Sequence, residues 1–215
     1  IVKGVQEIMP KLLGVDRVNN LIALEDLGKS NDYTILYDLK QKIQEGELQQ
    51  LVNYLNGLHQ SFQKTVVDDE LENTEMRKLN YEHIFEYPFR EENGFDLDTV
   101  QEGLQAVAMP YKKDSELKQK IERLGSLYLS KGKYLLQGDY YPGSWLKTTE
   151  GIKVIDPEFC FYGLREFEEL NTTILNGFIG TEIMRRLIGL AQLPLKMELK
   201  TKAALLAFAR DLILK

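Results

Sequence analysis

Apolar residues recur at helical spacing in three places. Leu51, Tyr54, Leu55, Leu58 and Phe62 stand at i, i+3, i+4, i+7 and i+11, which is one face of a helix. Leu117, Ile121, Leu124 and Tyr128 repeat that face, and Leu205, Phe208 and Leu212 predict another near the C-terminus. Between the first two, residues 67–78 are charged and read as exposed, while the aromatic-rich NYEHIFEYPF at 80–89 predicts a packed, irregular insertion. Two short runs read as strands, residues 134–136 and 152–155, joined through Trp145 and the TTEG turn at 148–151. A further apolar stretch, LIALEDL at 21–27, reads as a strand ending in acids, with Gly28 and the polar KSND behind it as a turn. The pattern predicts a mainly helical α+β chain carrying a small hairpin with acidic ends, and shows no internal repeat.

Composition narrows what such a chain can do. At 215 residues and 43% hydrophobic content it can bury a sizeable core. A net charge of -6 argues against a general binder of nucleic acid or anionic membrane, which needs an excess of clustered Lys and Arg. The longest apolar run, residues 203–209, is too short to span a bilayer. The single Cys160 excludes an internal disulfide and multi-cysteine zinc sites, which makes a reducing, cytoplasmic compartment the expectation. His59 and His83 lack partners at metal-ligand spacing and read as core or surface residues. Because the chain begins at Ile1, inside what reads as a structured segment, an N-terminal part is expected to be missing.

The acids carry the candidate chemistry. Asp139 sits in the Gly- and Pro-broken QGDYYPGS, Ser144 follows five positions later, and Asp156 and Glu158 come after the next apolar run in VIDPEF. Phosphoryl transfer of the kinase type uses one Asp to accept the acceptor's hydroxyl proton, a polar residue five positions on, and a second Asp to hold magnesium. Magnesium prefers hard oxygen ligands, and alternate residues of an extended segment face one side, so Asp156 and Glu158 could share one ion. Taken singly, each acid is more simply a turn or cap residue. GKS at 28–30 is no phosphate loop, since the glycine required five positions earlier is Ala23.

Taken together, QGDYYPGSW and VIDPEFCFYG resemble the HGDxHxGS and IDPEFxFYG motifs of 5-methylthioribose kinases, within the aminoglycoside phosphotransferase and choline kinase-like superfamily. LEDL at 24–27 looks like the hinge between kinase lobes, and RRLIGLA at 185–191 is similar to the paired-arginine helix of that family. The resemblance implies a protein kinase-like fold represented mainly by its helical C-terminal lobe, with the N-terminal lobe largely missing. Residues 1–28 would be the remnant of that lobe and the hinge, and residues 29–215 the helical lobe with catalytic loop and metal site.

It also implies roles. Asp139 would be the catalytic base; Ser144, Asp156 and Glu158 would hold Mg2+; the backbone at Glu25, Asp26 and Leu27 would contact ATP; Arg185, Arg186 and Trp145 would meet the acceptor. Three positions differ from the family pattern: Gln137 and Tyr141 replace its two His, and Phe167-Glu168 stands where it shows Phe-Asp. The expected activity is transfer of the γ-phosphoryl group of ATP to a sugar hydroxyl, with 5-methylthioribose the leading acceptor. An aminoglycoside or amino alcohol acceptor, and a catalytically silent binding module, are the competing readings. The expected partner is a small molecule rather than nucleic acid or membrane, and a homodimer is left open.

Overall fold

The computed structural model describes residues 3–38, 40–65, 71–165 and 173–215; Phe167 and Glu168 lie outside them. α1 (Lys3–Ile8) precedes an antiparallel hairpin of β1 (Leu12–Asp16) and β2 (Leu21–Leu24), followed by β3 (Asn31–Asp32), a 3-10 turn at Thr34–Tyr37 and α2 (Glu45–Ser61). Then come α3 (Thr74–Tyr81), α4 (Leu104–Lys113), α5 (Ser115–Leu129), β4 (Tyr134–Leu136), β5 (Trp145–Thr148), β6 (Gly151–Val154) and β7 (Phe161–Gly163). α6 (Thr173–Ile188) and α7 (Leu199–Leu214) close the chain. The strands form three small antiparallel sheets: β1-β2, β3-β5-β6 and β4-β7. This is a mixed fold dominated by helices, as the pattern predicts.

The chain builds two cores. In the larger, α5 buries Leu117, Ile121, Leu124 and Tyr128, the predicted face, against Phe85, Phe161, Phe178 and the α6–α7 pair. Asp114 fixes the start of α5, accepting from the Leu117 N–H at 3.0 Å while its other oxygen takes the Arg210 Nε of α7 at 2.7 Å. In the smaller core, Leu51, Tyr54 and Leu58 of α2 meet Val5 of α1 and Ile152 and Val154 of β6. A reciprocal Gln44/Glu47 capping box begins α2.

Three differences from the sequence reading have physical causes. On α7 the buried face is Lys202, Leu206, Ala209 and Ile213, whereas Phe208 is 54% exposed. That helix is apolar nearly all round, so its periodicity selects no face. The insertion at 80–89 is helical, continuing α3 through a π-helical turn (Glu82–Glu86) into a 3-10 turn (Tyr87–Phe89) that ends at Pro88 and Phe89. The strand expected over 21–27 stops at Leu24, and both faces of its hairpin stay open, with Leu12, Leu13, Val15, Leu21, Ile22 and Leu24 all more than half exposed.

Candidate functional site

The site begins where β4 ends. Gly138 takes φ +84°, and a Cβ there would lie 2.1 Å from the Phe159 carbonyl oxygen, so only glycine lets the two acid-bearing loops approach this closely. Its carbonyl accepts from Asn80 Nδ2 at 3.0 Å, which ties the loop to α3. The preceding Gln137 is wholly buried and spends its amide on both neighbours. Nε2 donates to the carbonyls of Ile155 and Asp156, each at 3.2 Å, and Oε1 accepts from the Tyr54 hydroxyl of α2 at 2.9 Å. The loop bearing Asp139 and the loop bearing Asp156 are thereby clamped together and to α2.

Asp139 follows, its side chain 19% exposed. Arg186 Nη2 lies 3.2 Å and Arg185 Nη1 3.9 Å from its Oδ1. Both guanidiniums are shared with Glu182, about one turn earlier on α6: Arg185 Nη1 at 2.9 Å and Arg186 Nε at 3.4 Å. Arg186 also lies over the Tyr141 ring, 4.8 Å from its centroid. Burial pushes the Asp139 carboxyl above its ordinary range, and Arg185 and Arg186 pull it back only in part. Burial likewise opposes the charge of Arg185, but Glu182 and Asp139 together hold its guanidinium above its usual value. The Tyr141 hydroxyl is raised by burial, with Asp139 and Asp156 adding to the rise and Arg186 and Arg185 opposing it.

Ser144 is almost wholly buried; its hydroxyl donates to the Asp139 carbonyl at 3.1 Å and closes the loop. Asp156 starts a 3-10 turn (Pro157–Phe159) from the left-handed region, at φ 59° and ψ 61°. Asp156 and Glu158 are exposed, and among the described residues neither carboxylate is in an ion pair. Asn73 holds their turn from α3's start, donating to the Glu158 and Cys160 carbonyls at 2.6 and 3.0 Å. No group of three His, Cys, Asp or Glu is gathered among the described residues. Two unengaged hard carboxylates nevertheless suit magnesium, which habitually completes its shell with water and substrate phosphate oxygens.

The remaining predicted residues lie outside this cluster. Glu25, Asp26 and Leu27 follow β2: the Glu25 N–H donates to the Lys11 carbonyl at 2.9 Å, its carboxylate sits 3.5 Å from Lys153 Nζ, and Asp26 caps the Gly28 N–H at 2.8 Å. Trp145 packs edge-on to Tyr33 and tilted against Tyr140, ring centroids 6.3 and 5.1 Å away. It lines neither of the cavities that flank Arg186. Three hollows surround the clamped loops. A cleft of about 1270 Å³ runs from Lys11 and Leu12 past Tyr54, Gln137 and Lys153 to Pro157. A cavity of about 460 Å³ opens beside Asp139, walled by Leu175, Ile179, Ile183, Leu187 and Leu193. A third, of about 450 Å³, lies on the other flank of Arg186.

Several contributors are absent from the sequence reading. Glu182 was findable, since it stands three and four positions before the arginines at helical ion-pair spacing. Asn80, Tyr54 and Lys153 carry no such signal; Lys153 is buried in β6 and donates to the Glu7 carbonyl at 2.9 Å.

No family model matches the chain. Curated proteins do. The methylthioribose kinase of Exiguobacterium sibiricum is 38% identical over 93 residues, 42% of this chain and 23% of that protein. The methylthioribose kinase of Bacillus mycoides is 31% identical over 104 residues, 48% and 26%. Methylthioribose kinase 1 of Oryza sativa is 35% identical over 77 residues, 36% and 16%. These matches span about a quarter, or less, of the relatives' own length. The chain is thus similar, in part, to sugar kinases. No described helix is long and apolar enough to cross a membrane.

Proposed function

We propose that this chain is the catalytic portion of an ATP-dependent small-molecule kinase of the kinase-like superfamily, acting in the cytoplasm on a hydroxyl of a 5-methylthioribose-like sugar. The observation that carries this reading is Asp139, flanked by two arginines beside an apolar cavity and clamped through Gln137 to the loop of two exposed acids.

In this reading residues 1–28 belong to the hinge side and residues 29–215 to the lobe that does the chemistry. The large cleft takes the nucleotide; Glu25, Asp26 and Leu27 do not line it, and the adenine contact of their backbone would lie at its Lys11 and Lys153 end, where Glu25 is tied to both. Asp139 orients the acceptor hydroxyl and takes its proton as the oxygen bonds to the γ-phosphorus and the bond to the β–γ bridging oxygen breaks. Arg185 and Arg186 favour the ionised form of that carboxylate against its burial and would face the oxyanion charge of the transferring group, which a guanidinium fork suits. Asp156 and Glu158, with the Ser144 oxygen behind them, would hold magnesium, whose charge offsets that of the nucleotide phosphates. The leucine and isoleucine wall of the neighbouring cavity favours an acceptor with an apolar substituent over a polycationic aminoglycoside.

The test is magnesium-dependent ATP consumption with 5-methylthioribose beside a panel of sugars, aminoglycosides and amino alcohols. Turnover with the thiosugar, lost in Asp139→Asn, is the expected result. Turnover with another acceptor alone would replace the substrate, and none with any acceptor would leave a silent binding module.

A further inference from the structure

Two residues in the wall of the cavity on the far flank of Arg186, Tyr37 and Gln192, each carry a buried polar atom that the fold does not use. The cavity lies between the 3-10 turn Thr34–Tyr37, the catalytic loop at Tyr141 and Gly143, and the segment after α6. The Tyr37 hydroxyl and Gln192 Nε2 are both buried and, among the described residues, have no hydrogen-bond partner. Tyr37 as a whole is only 8% exposed. A buried donor left unmade is a cost that folding does not offset, so a native pair of them lining one hollow calls for an explanation.

Both groups are held in place by the catalytic machinery. The Tyr33 N–H donates to the Pro142 carbonyl at 3.1 Å, docking the 3-10 turn onto the catalytic loop. Arg186 grips the other side: its carbonyl accepts from the Leu193 N–H at 3.3 Å and its Nη1 donates to the Ala191 carbonyl at 3.4 Å, bracketing Gln192. The Tyr37 hydroxyl is pushed up to about 12 by burial, with Arg186 opposing and Tyr141, Asp32 and Asp139 adding to the rise, which sets it within reach of the reacting carboxylate's field. Asp32 spends Oδ1 on the Thr34 N–H and hydroxyl, and its Oδ2 is unengaged among the described residues.

We infer that this cavity is a second acceptor subsite, selective for a neutral pair of hydroxyl groups, with Tyr37, Gln192 and Asp32 as its specificity-determining residues. It deepens, and rests on, the kinase reading above. The walls choose the class: Asp32 opposes an anion and Arg186 opposes an amine, whereas hydroxyls can donate to Asp32 and accept from the Gln192 amide and Tyr37. Arg186 and Tyr141 belong to the walls of both this cavity and the apolar one, so one acceptor can lay its apolar end in the first and its hydroxyls in the second.

The experiment is calorimetric titration of 5-methylthioribose, and of an analogue lacking one ring hydroxyl, into the protein, Tyr37→Phe and Gln192→Met, without nucleotide. Each variant should weaken the sugar by about 10-fold, the loss of one buried hydrogen bond. At least one variant should also bind the two ligands equally, while the parent prefers the full sugar. Neither should lower the thermal midpoint, because each removes a group the free fold leaves unsatisfied. Unchanged affinity in both variants, or undiminished discrimination between the ligands, overturns the subsite while the kinase reading stands. Binding that follows this pattern without any turnover preserves the subsite and overturns the kinase reading; no binding to the parent overturns the subsite, and turnover then judges the kinase reading separately.

Discussion

Two acid-bearing loops meet across Gln137 and are built on opposite plans. On one, Asp139 is largely buried, flanked by Arg185 and Arg186, and anchored through the Gly138 and Asp139 carbonyls to Asn80 and Ser144. On the other, Asp156 and Glu158 stand exposed with their carboxylates unengaged, while only their backbone is gripped, by Gln137 and Asn73. In the proposed function the first plan would tune a proton acceptor by setting burial against cations, and the second would leave two charges for a cation that arrives from solution. Position is fixed on both loops, but charge is compensated on one alone.

Removing the tuned carboxylate should be the most damaging change. Asp139→Asn is expected to lower kcat by about 10²- to 10⁴-fold, the usual contribution of a general base, with the acceptor KM changed little, measured in the same ATP-consumption assay. Next comes the approach of the two loops. Gly138→Ala should cost about 3 kcal/mol in denaturant unfolding, the upper range for single substitutions, because a Cβ meets the Phe159 carbonyl and φ is positive. Glu158→Gln should leave the midpoint of unfolding in place but raise the magnesium concentration needed for half-maximal rate by about 10-fold, as expected for a lost metal ligand.

A smaller effect separates the loops by pH. Asp139 titrates above its ordinary range, so the folded state favours its protonated form. That contribution to stability is fully present below the ordinary carboxylate value and is lost as pH rises through the raised one. In the proposed function activity needs the ionised form, so the acid limb of kcat/KM should lie above the usual Asp range, and Arg185→Gln should move it further up by removing one of the opposing cations. A limb that stays put would break the contrast. The mildest test is Tyr54→Phe, which leaves the Gln137 Oε1 only the long Cys160 Sγ contact at 3.9 Å and should cost about 1 kcal/mol of stability.

Much of this was legible in the chain, but unevenly. The α5 face was read correctly because polar residues frame Leu117, Ile121, Leu124 and Tyr128, whereas α7, apolar on most sides, was misread by one position. The acids could be singled out because strands ending in carboxylates at fixed spacing are an uncommon pattern. What holds them could not: Asn80 reaches Gly138 across 58 positions and Tyr54 reaches Gln137 across 83, separations at which local periodicity has nothing to say. Tyr37 and Gln192 were invisible for the same reason, since their importance lies in partners the fold withholds.

The left-handed backbone at Asp156 has an evolutionary corollary. Residues that settle in that basin without strain are few, chiefly glycine, asparagine and aspartate, and of these aspartate alone is charged. Most replacements there would injure both folding and chemistry and be purged quickly. The two that spare the backbone, asparagine and glycine, are each one nucleotide away from an aspartate codon and abolish the carboxylate. If the proposed function holds, inheritance has a short, stable route from a working enzyme to a well-folded one that no longer turns over, and a survey of natural variants should find it at this codon before any other in the loop.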